Sequence, residues 1–139
     1  VSGNASAFIP WQISESEANE HGLMVNRDLT KKSNAARHWF SMIAPNSVRI
    51  DCKSSDETIK SSAFLDPATQ RITVVLINPE TSTQSVQINL PLTSNKITRT
   101  VLTDLTRDFE ATEIFIHIAN GFTGVLPAQS LVSVQFDAR

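Results

Sequence analysis

The stretch Ile72-Thr73-Val74-Val75-Leu76-Ile77-Asn78-Pro79 decides the fold class. Its first six residues are apolar at both parities apart from Thr73, as in a central strand covered on both faces. Asn78-Pro79 then turns the chain. Outward from this run the sequence alternates with a period of two. Val86, Ile88 and Leu90 alternate with Gln87 and Asn89, giving one wet face. Upstream, Val48, Ile50 and Cys52 alternate with Arg49, Asp51 and Lys53, and Ile59 to Leu65 forms a second run that Asp66-Pro67 stops. Downstream, Ile97–Leu102, Glu113–Ile118, Phe122–Leu126 and Leu131–Phe136 continue the pattern.

About eight short strands, joined by turns with no helical pattern between them, predict an antiparallel β-sandwich over residues 46–139. A parallel sheet would need crossover helices, and this part of the chain has none. Val74, Leu76, Val86, Ile88, Ile114, Ile116, Val132 and Val134 are expected inside. Phe136 shares their parity. Phe115 shares the parity of His117, opposite Ile114 and Ile116, and is expected on the outside. Phe109, in a polar turn beside Asp108 and Glu110, is the other ring expected at the surface.

Before Pro45 the pattern differs. Ala5, Ala7, Ile9, Trp11 and Ile13 share one parity of a strand, and Pro10 places that strand at an edge or ends it near there. Residues 14–20 read as a polar loop. Leu29 to Ile43 reads as a helix, capped by Asp28 or Thr30 and ended by Pro45-Asn46. Ala36, Trp39, Phe40 and Ile43 form its apolar stripe, so Trp39 and Phe40 are expected to dock it. Lys31, Lys32 and Arg37 crowd the start, where the helix dipole disfavours them. The chain is therefore expected to be mainly β with one N-terminal helix, divided into residues 1–45 and 46–139.

Composition excludes several functions. Twelve basic residues against 14 acidic ones give a net charge of -2. That balance is a poor basis for nucleic-acid binding, which needs a basic stripe along the phosphates. The longest apolar run is too short to cross a bilayer, and no membrane contact is expected. No cationic start followed by an apolar core reads as a signal segment. Since the chain opens at Val1, more polypeptide is expected upstream. A lone Cys52 excludes an internal disulfide and a multi-cysteine zinc site.

Three passages together resemble the glucosylceramidase and glucuronoxylanase group, family 30 of the glycoside hydrolases. Gly3-Asn4-Ala5-Ser6-Ala7-Phe8-Ile9-Pro10-Trp11-Gln12 resembles the family's last barrel strand. Trp39-Phe40-Ser41-Met42-Ile43-Ala44-Pro45-Asn46-Ser47-Val48-Arg49-Ile50 is similar to its passage from the last barrel helix into a side β-domain. Ser62-Ala63-Phe64, Ile72 to Pro79 and Leu126-Pro127-Ala128-Gln129-Ser130-Leu131-Val132-Ser133 resemble three strands of that domain. The resemblance implies a (β/α)8 barrel enzyme that cleaves β-linked glycans or glycolipids with retention. Its two carboxylates follow barrel strands upstream of the passages matched here.

By that resemblance residues 1–45 are the end of a barrel. Residues 46–139 are then a non-catalytic β-domain, without cofactor, that packs against the barrel of an extracellular or periplasmic enzyme. Trp11 corresponds to the aromatic residue lining the sugar subsite. The family's β-domain also takes strand material from the start of the full chain. The sandwich is then expected to have an unpaired edge, which residues 1–13 or a second copy could fill.

The residues themselves offer little catalytic chemistry. Retaining hydrolysis needs two carboxylates about 5–5.5 Å apart, and Glu15, Glu17 and Glu20 lie together in one loop without a rigid scaffold. His21, His38 and His117 are widely separated, so no metal site is expected. Asp104 and Asp108 read as a surface turn, and Asn120-Gly121 as a hairpin turn. The alternative function is a module that recognises xylan or β-glucan. Phe109 and Phe115 would stack on sugar faces, with Gln87, Asn89, Asn120 and Gln135 bonding hydroxyls.

Overall fold

A computed structural model describes residues 13–17, 22–90 and 95–138. The predicted strand at 5–13, with Trp11, lies almost wholly outside the described residues, as do Glu20 and His21. Three two-residue strands, β1 (Ser14–Glu15), β2 (Met24–Val25) and β3 (Asp28–Leu29), form a small sheet ahead of the helix α1 (Lys31–Phe40). Then follow β4 (Val48–Ile50), β5 (Lys60–Asp66), β6 (Arg71–Asn78), β7 (Gln84–Ile88), β8 (Asn95–Thr103), β9 (Glu110–Ala111), β10 (Phe115–Ile118), β11 (Gly121–Leu126) and β12 (Ser130–Ala138).

These strands make an antiparallel sandwich of unequal halves. A six-stranded sheet runs β4-β5-β6-β12-β8-β9, and a three-stranded sheet runs β10-β11-β7. As expected, β6 is central, between β5 and β12. Its inward residues Ile72, Val74 and Leu76 join Val132, Val134, Phe136, Leu102, Phe122 and Leu126 in the core between the sheets. Thr73 and Val75 face the other way and are also buried. There they meet a third layer formed by α1 and Met42, which explains why both parities of β6 are apolar.

The turns follow local chemistry. Asp66 ends β5 by accepting the Ala68 N–H at 2.9 Å and the Thr69 hydroxyl at 2.6 Å. Asn78 is fully buried and donates to the carbonyls of Ser82 and Pro127, stapling two loops. The hairpin between β10 and β11 turns at Ala119-Asn120, and Gly121 takes φ +138° where a side chain would strike the Ile88 carbonyl.

Several residues sit differently from the sequence reading. On β10, Phe115 points inward and is buried, whereas Ile116 is 65% exposed and Ile114 is half-buried against the core. The reason lies across the ladder. Phe115 pairs with Gly124, and a Cβ on that glycine would come within 2.6 Å of the Phe115 ring. The missing side chain makes room for the ring. Val48 is exposed rather than core, while Ile50 and Cys52 are half-buried against the core.

The helix is shorter and turned relative to expectation. Thr30 caps it, accepting the Ser33 N–H, as one of the two expected candidates. Its buried residues are Ser33, Asn34 and His38, while Trp39 is half-buried and Phe40 is 56% exposed. Phe40 is thus turned largely outward, and the fully buried anchor of the helix on the sandwich is a polar side chain. That anchor is His38, because the facing sheet surface offers it the hydroxyls of Ser133 and Thr103, with Asn34 buried one turn before it. The unfavourably placed Lys31 is compensated by Asp108 at 2.6 Å and by the Arg107 carbonyl at 3.0 Å.

Candidate functional site

Two regions carry features beyond ordinary core packing. The first is the layer where α1 meets the large sheet. His38 is completely buried, with Nδ1 2.8 Å from the Ser133 hydroxyl and Nε2 2.9 Å from the Thr103 hydroxyl. Burial, assisted by the neighbouring Arg37 charge, lowers its pKa from 6.5 to about 4, so the imidazole is neutral at physiological pH. Two residues beyond His38 end the helix, and the chain stays on the sheet through the Met42 carbonyl. That carbonyl accepts the Thr73 hydroxyl at 2.9 Å and the Gln135 amide at 2.8 Å.

Phe109 belongs to this layer rather than to the surface. It adopts φ +56°, donates its N–H to the Thr103 hydroxyl at 3.0 Å, and packs with Met42 and Val101. Its ring meets His38 edge-on at 5.1 Å, and the Arg37 guanidinium covers it at 4.2 Å. The preceding turn is held by Asp104. Burial opposes ionisation of that carboxyl, but the Arg107 guanidinium and the N–H groups of Thr106 and Arg107 outweigh it and hold the pKa well below the usual range. The expected surface turn is present, tied down by an ion pair.

The second region is the open edge of the small sheet. Among the described residues β7 pairs with β11 alone. Val86 turns its carbonyl toward β11, where it accepts the Thr123 hydroxyl at 3.2 Å. By alternation, Ser85 and Gln87 turn their backbone groups to the unpaired side. Beside this edge a cleft of about 510 Å³ opens between β7 and residues 50–56. Ile59, Ala63, Ile72, Val74 and Leu76 line its apolar floor, while Asp51, Ser54, Asp56, Gln87 and Asn89 border it. Gln87 and Asn89 are exposed and bonded to each other, Nε2 to Oδ1, at 2.7 Å.

The arrangement offers no assembled catalytic group among the described residues. Glu15 sits in β1 and Glu17 is exposed on the loop after it. His117 is exposed and touches the Phe122 ring edge-on. No three potential metal ligands converge among the described residues. With Phe109 and Phe115 both buried, neither expected ring is available to stack on a sugar.

Residues 46–134 match the family described as the glycosyl hydrolase family 30 beta sandwich domain. The chain belongs to this family. No curated protein sequence matches it. Among solved structures it is similar to a family 30 subfamily 8 xylanase, Xyn30A, from Clostridium acetobutylicum, at TM-score 0.77 and 21% identity, over 88% of this chain and 32% of that one. The catalytic domain of family 30 xylanase C from Talaromyces cellulolyticus gives 0.77 and 23%, over 88% and 29%. A family 30 endoxylanase from Clostridium papyrosolvens C71 gives 0.71 and 23%, over 79% and 28%. At these identities the TM-scores show a shared fold. This chain thus spans under a third of the length of each of these three proteins.

Sequence reasoning missed His38 as a fold-determining residue, because Asn34 and His38 look like a helix's solvent face. The one available signal was their i, i+4 spacing, continued by Met42.

Proposed function

We propose that this family 30 sandwich is a non-catalytic support for the barrel of an extracellular or periplasmic β-glycan-degrading hydrolase. Residues 1–45 are then the barrel's end and residues 46–139 its side domain, with Trp11 at the sugar subsite. One observation carries the reading. The helix is fixed to the sandwich by the buried His38–Ser133–Thr103 bonds, while Phe40, Leu29 and Val48 remain 56%, 53% and 57% exposed. Phe40 at the end of α1, Leu29 in β3 and Val48 in β4 are thus apolar side chains left outward on and beside a helix so held, as suits a further protein layer. The open edge of β7 and its apolar cleft would receive strand material from the start of the full chain, or a second copy.

The test supplies the preceding polypeptide of the parent enzyme in trans and follows association and thermal stability. Association with a raised melting temperature, weakened by Phe40→Asp, supports the reading; no association overturns it.

The alternative is recognition of a xylan or β-glucan chain. The cleft bordered by Gln87 and Asn89 favours it, because its size suits a ligand of a few rings. Calorimetric titration with xylo- and gluco-oligosaccharides separates the two. Saturable binding lost in Gln87→Ala and Asn89→Ala would support the module.

A further inference from the structure

Two arginines converge on the Phe109 ring, Arg37 at 4.2 Å and Arg99 at 5.6 Å from its centroid. They come from different elements, α1 and β8. The nearby acids are already engaged, Asp104 with Arg107 and Asp108 with Lys31. Among the described residues no carboxylate lies within ion-pair distance of Arg37 or Arg99. Beside them, Asn34 is 4% exposed and uses its carbonyl to accept the Arg37 Nη1–H at 3.1 Å. Its amide nitrogen has no hydrogen-bond partner among the described residues, although buried amide groups are almost always bonded. Two guanidinium groups without a carboxylate partner thus approach one ring, and the nearer of them is bonded to a buried amide.

We propose that Arg37, Arg99 and Asn34 form a receptor for a carboxylate, and that its occupant is an acidic side chain of the protein layer packed against α1. Arginine presents paired N–H donors that match a carboxylate, and the Asn34 amide would supply one more. Phe109 is buried, so it leaves no flat apolar face for a sugar ring; a single carboxylate on a flexible stem fits better. The identity of that layer rests on the support role proposed above. The capacity to bind a carboxylate does not, and is measurable on this chain alone.

Arginine side-chain NMR signals of the 139-residue chain are followed as sodium acetate replaces sodium chloride at constant ionic strength. Saturable shifts at Arg37 and Arg99 are expected, with half-saturation on the order of tens of millimolar for so small a probe. Arg99→Gln should weaken the response at least about threefold, and Arg99→Lys should weaken it less, since it keeps the charge but loses the fork. Arg99 is exposed, so these variants leave the fold intact, which amide spectra check. Absence of saturation, or an unchanged response in Arg99→Gln, overturns the site. Sodium glucuronate provides the second arm. If it binds no tighter than acetate, the side-chain assignment stands; markedly tighter binding overturns it in favour of an acidic sugar. Failure of the barrel to associate in trans would sink the support role and leave acetate binding intact.

Discussion

His38 Nε2 and the Thr103 hydroxyl lie 2.9 Å apart, joining α1 to β8 across 65 residues of sequence. Thr103 also accepts the Phe109 N–H, so one hydroxyl ties the helix, a sheet strand and the 104–109 turn together. Removing the imidazole would leave buried hydroxyl groups of Thr103 and Ser133 without it, and a cavity as well. His38→Ala should cost about 3–4 kcal/mol in urea melts. Phe40→Ala, on the exposed side, should cost less than about 1 kcal/mol in the same chain. The reverse order would show that the apolar stripe, not the polar row, docks the helix.

The same ring makes stability depend on pH. A neutral imidazole needs one hydroxyl to donate to it, whereas a protonated one would force both to accept and would place a charge in the buried layer. The folded pKa, about 4, lies below the unfolded value of 6.5, so the unfolded chain binds more protons between these limits. The stabilisation is fully present above about pH 6.5 and is lost as pH falls toward about 4. A loss of about 3 kcal/mol is expected over that window. Guanidinium melts at several pH values would check it. His38→Gln should flatten the dependence, and an equally steep loss in that variant would assign it elsewhere.

At Gly124 the expectation is steric. An added Cβ would come within 2.6 Å of both the Phe115 ring and the Ile114 carbonyl. Gly124→Ala should destabilise by about 2–3 kcal/mol through overpacking. Because part of the conflict is with the ring, Phe115→Leu in the Gly124→Ala background should cost less than Phe115→Leu alone. Simple additivity in the double-mutant cycle would refute the contact.

How far the sequence reveals this fold depends on which interactions set each element. The β6 run was legible because burial on both faces leaves an unmistakable apolar stretch, and the turn at Asp66-Pro67 because its chemistry is local. The antiparallel sandwich and the family resemblance followed from such features. At β10, period two indicates two faces but not which is inner; the choice depends on Gly124, a residue on another strand. Phe109 looked exposed because its neighbours are charged, yet a left-handed backbone turns it under Arg37. The helix was misjudged for a related reason. Its partner surface is polar, and the hydroxyls of Thr103 and Ser133 come from distant strands that no helical periodicity reports. Gln87 and Asn89 were correctly placed on a wet face, while the cleft beside them arises from the unequal width of the two sheets.

That unequal width leads to the last prediction, at the edge of β7. Proline removes a backbone donor, and its effect depends on where the donor points. Val86 belongs to the ladder with β11, whereas Gln87 turns its N–H to the open side. Val86→Pro should therefore cost about 3 kcal/mol or more, and Gln87→Pro distinctly less in this chain alone. Adding the strand that completes the sheet should reverse the apparent harmlessness of Gln87→Pro, since a docking strand needs that donor. Thermal melts with and without the preceding polypeptide, alongside light-scattering masses, would report both effects. Equal losses for the two variants in the isolated chain would mean that the edge is already paired, and a doubled mass abolished by Gln87→Pro would identify a second copy as the strand that pairs with it.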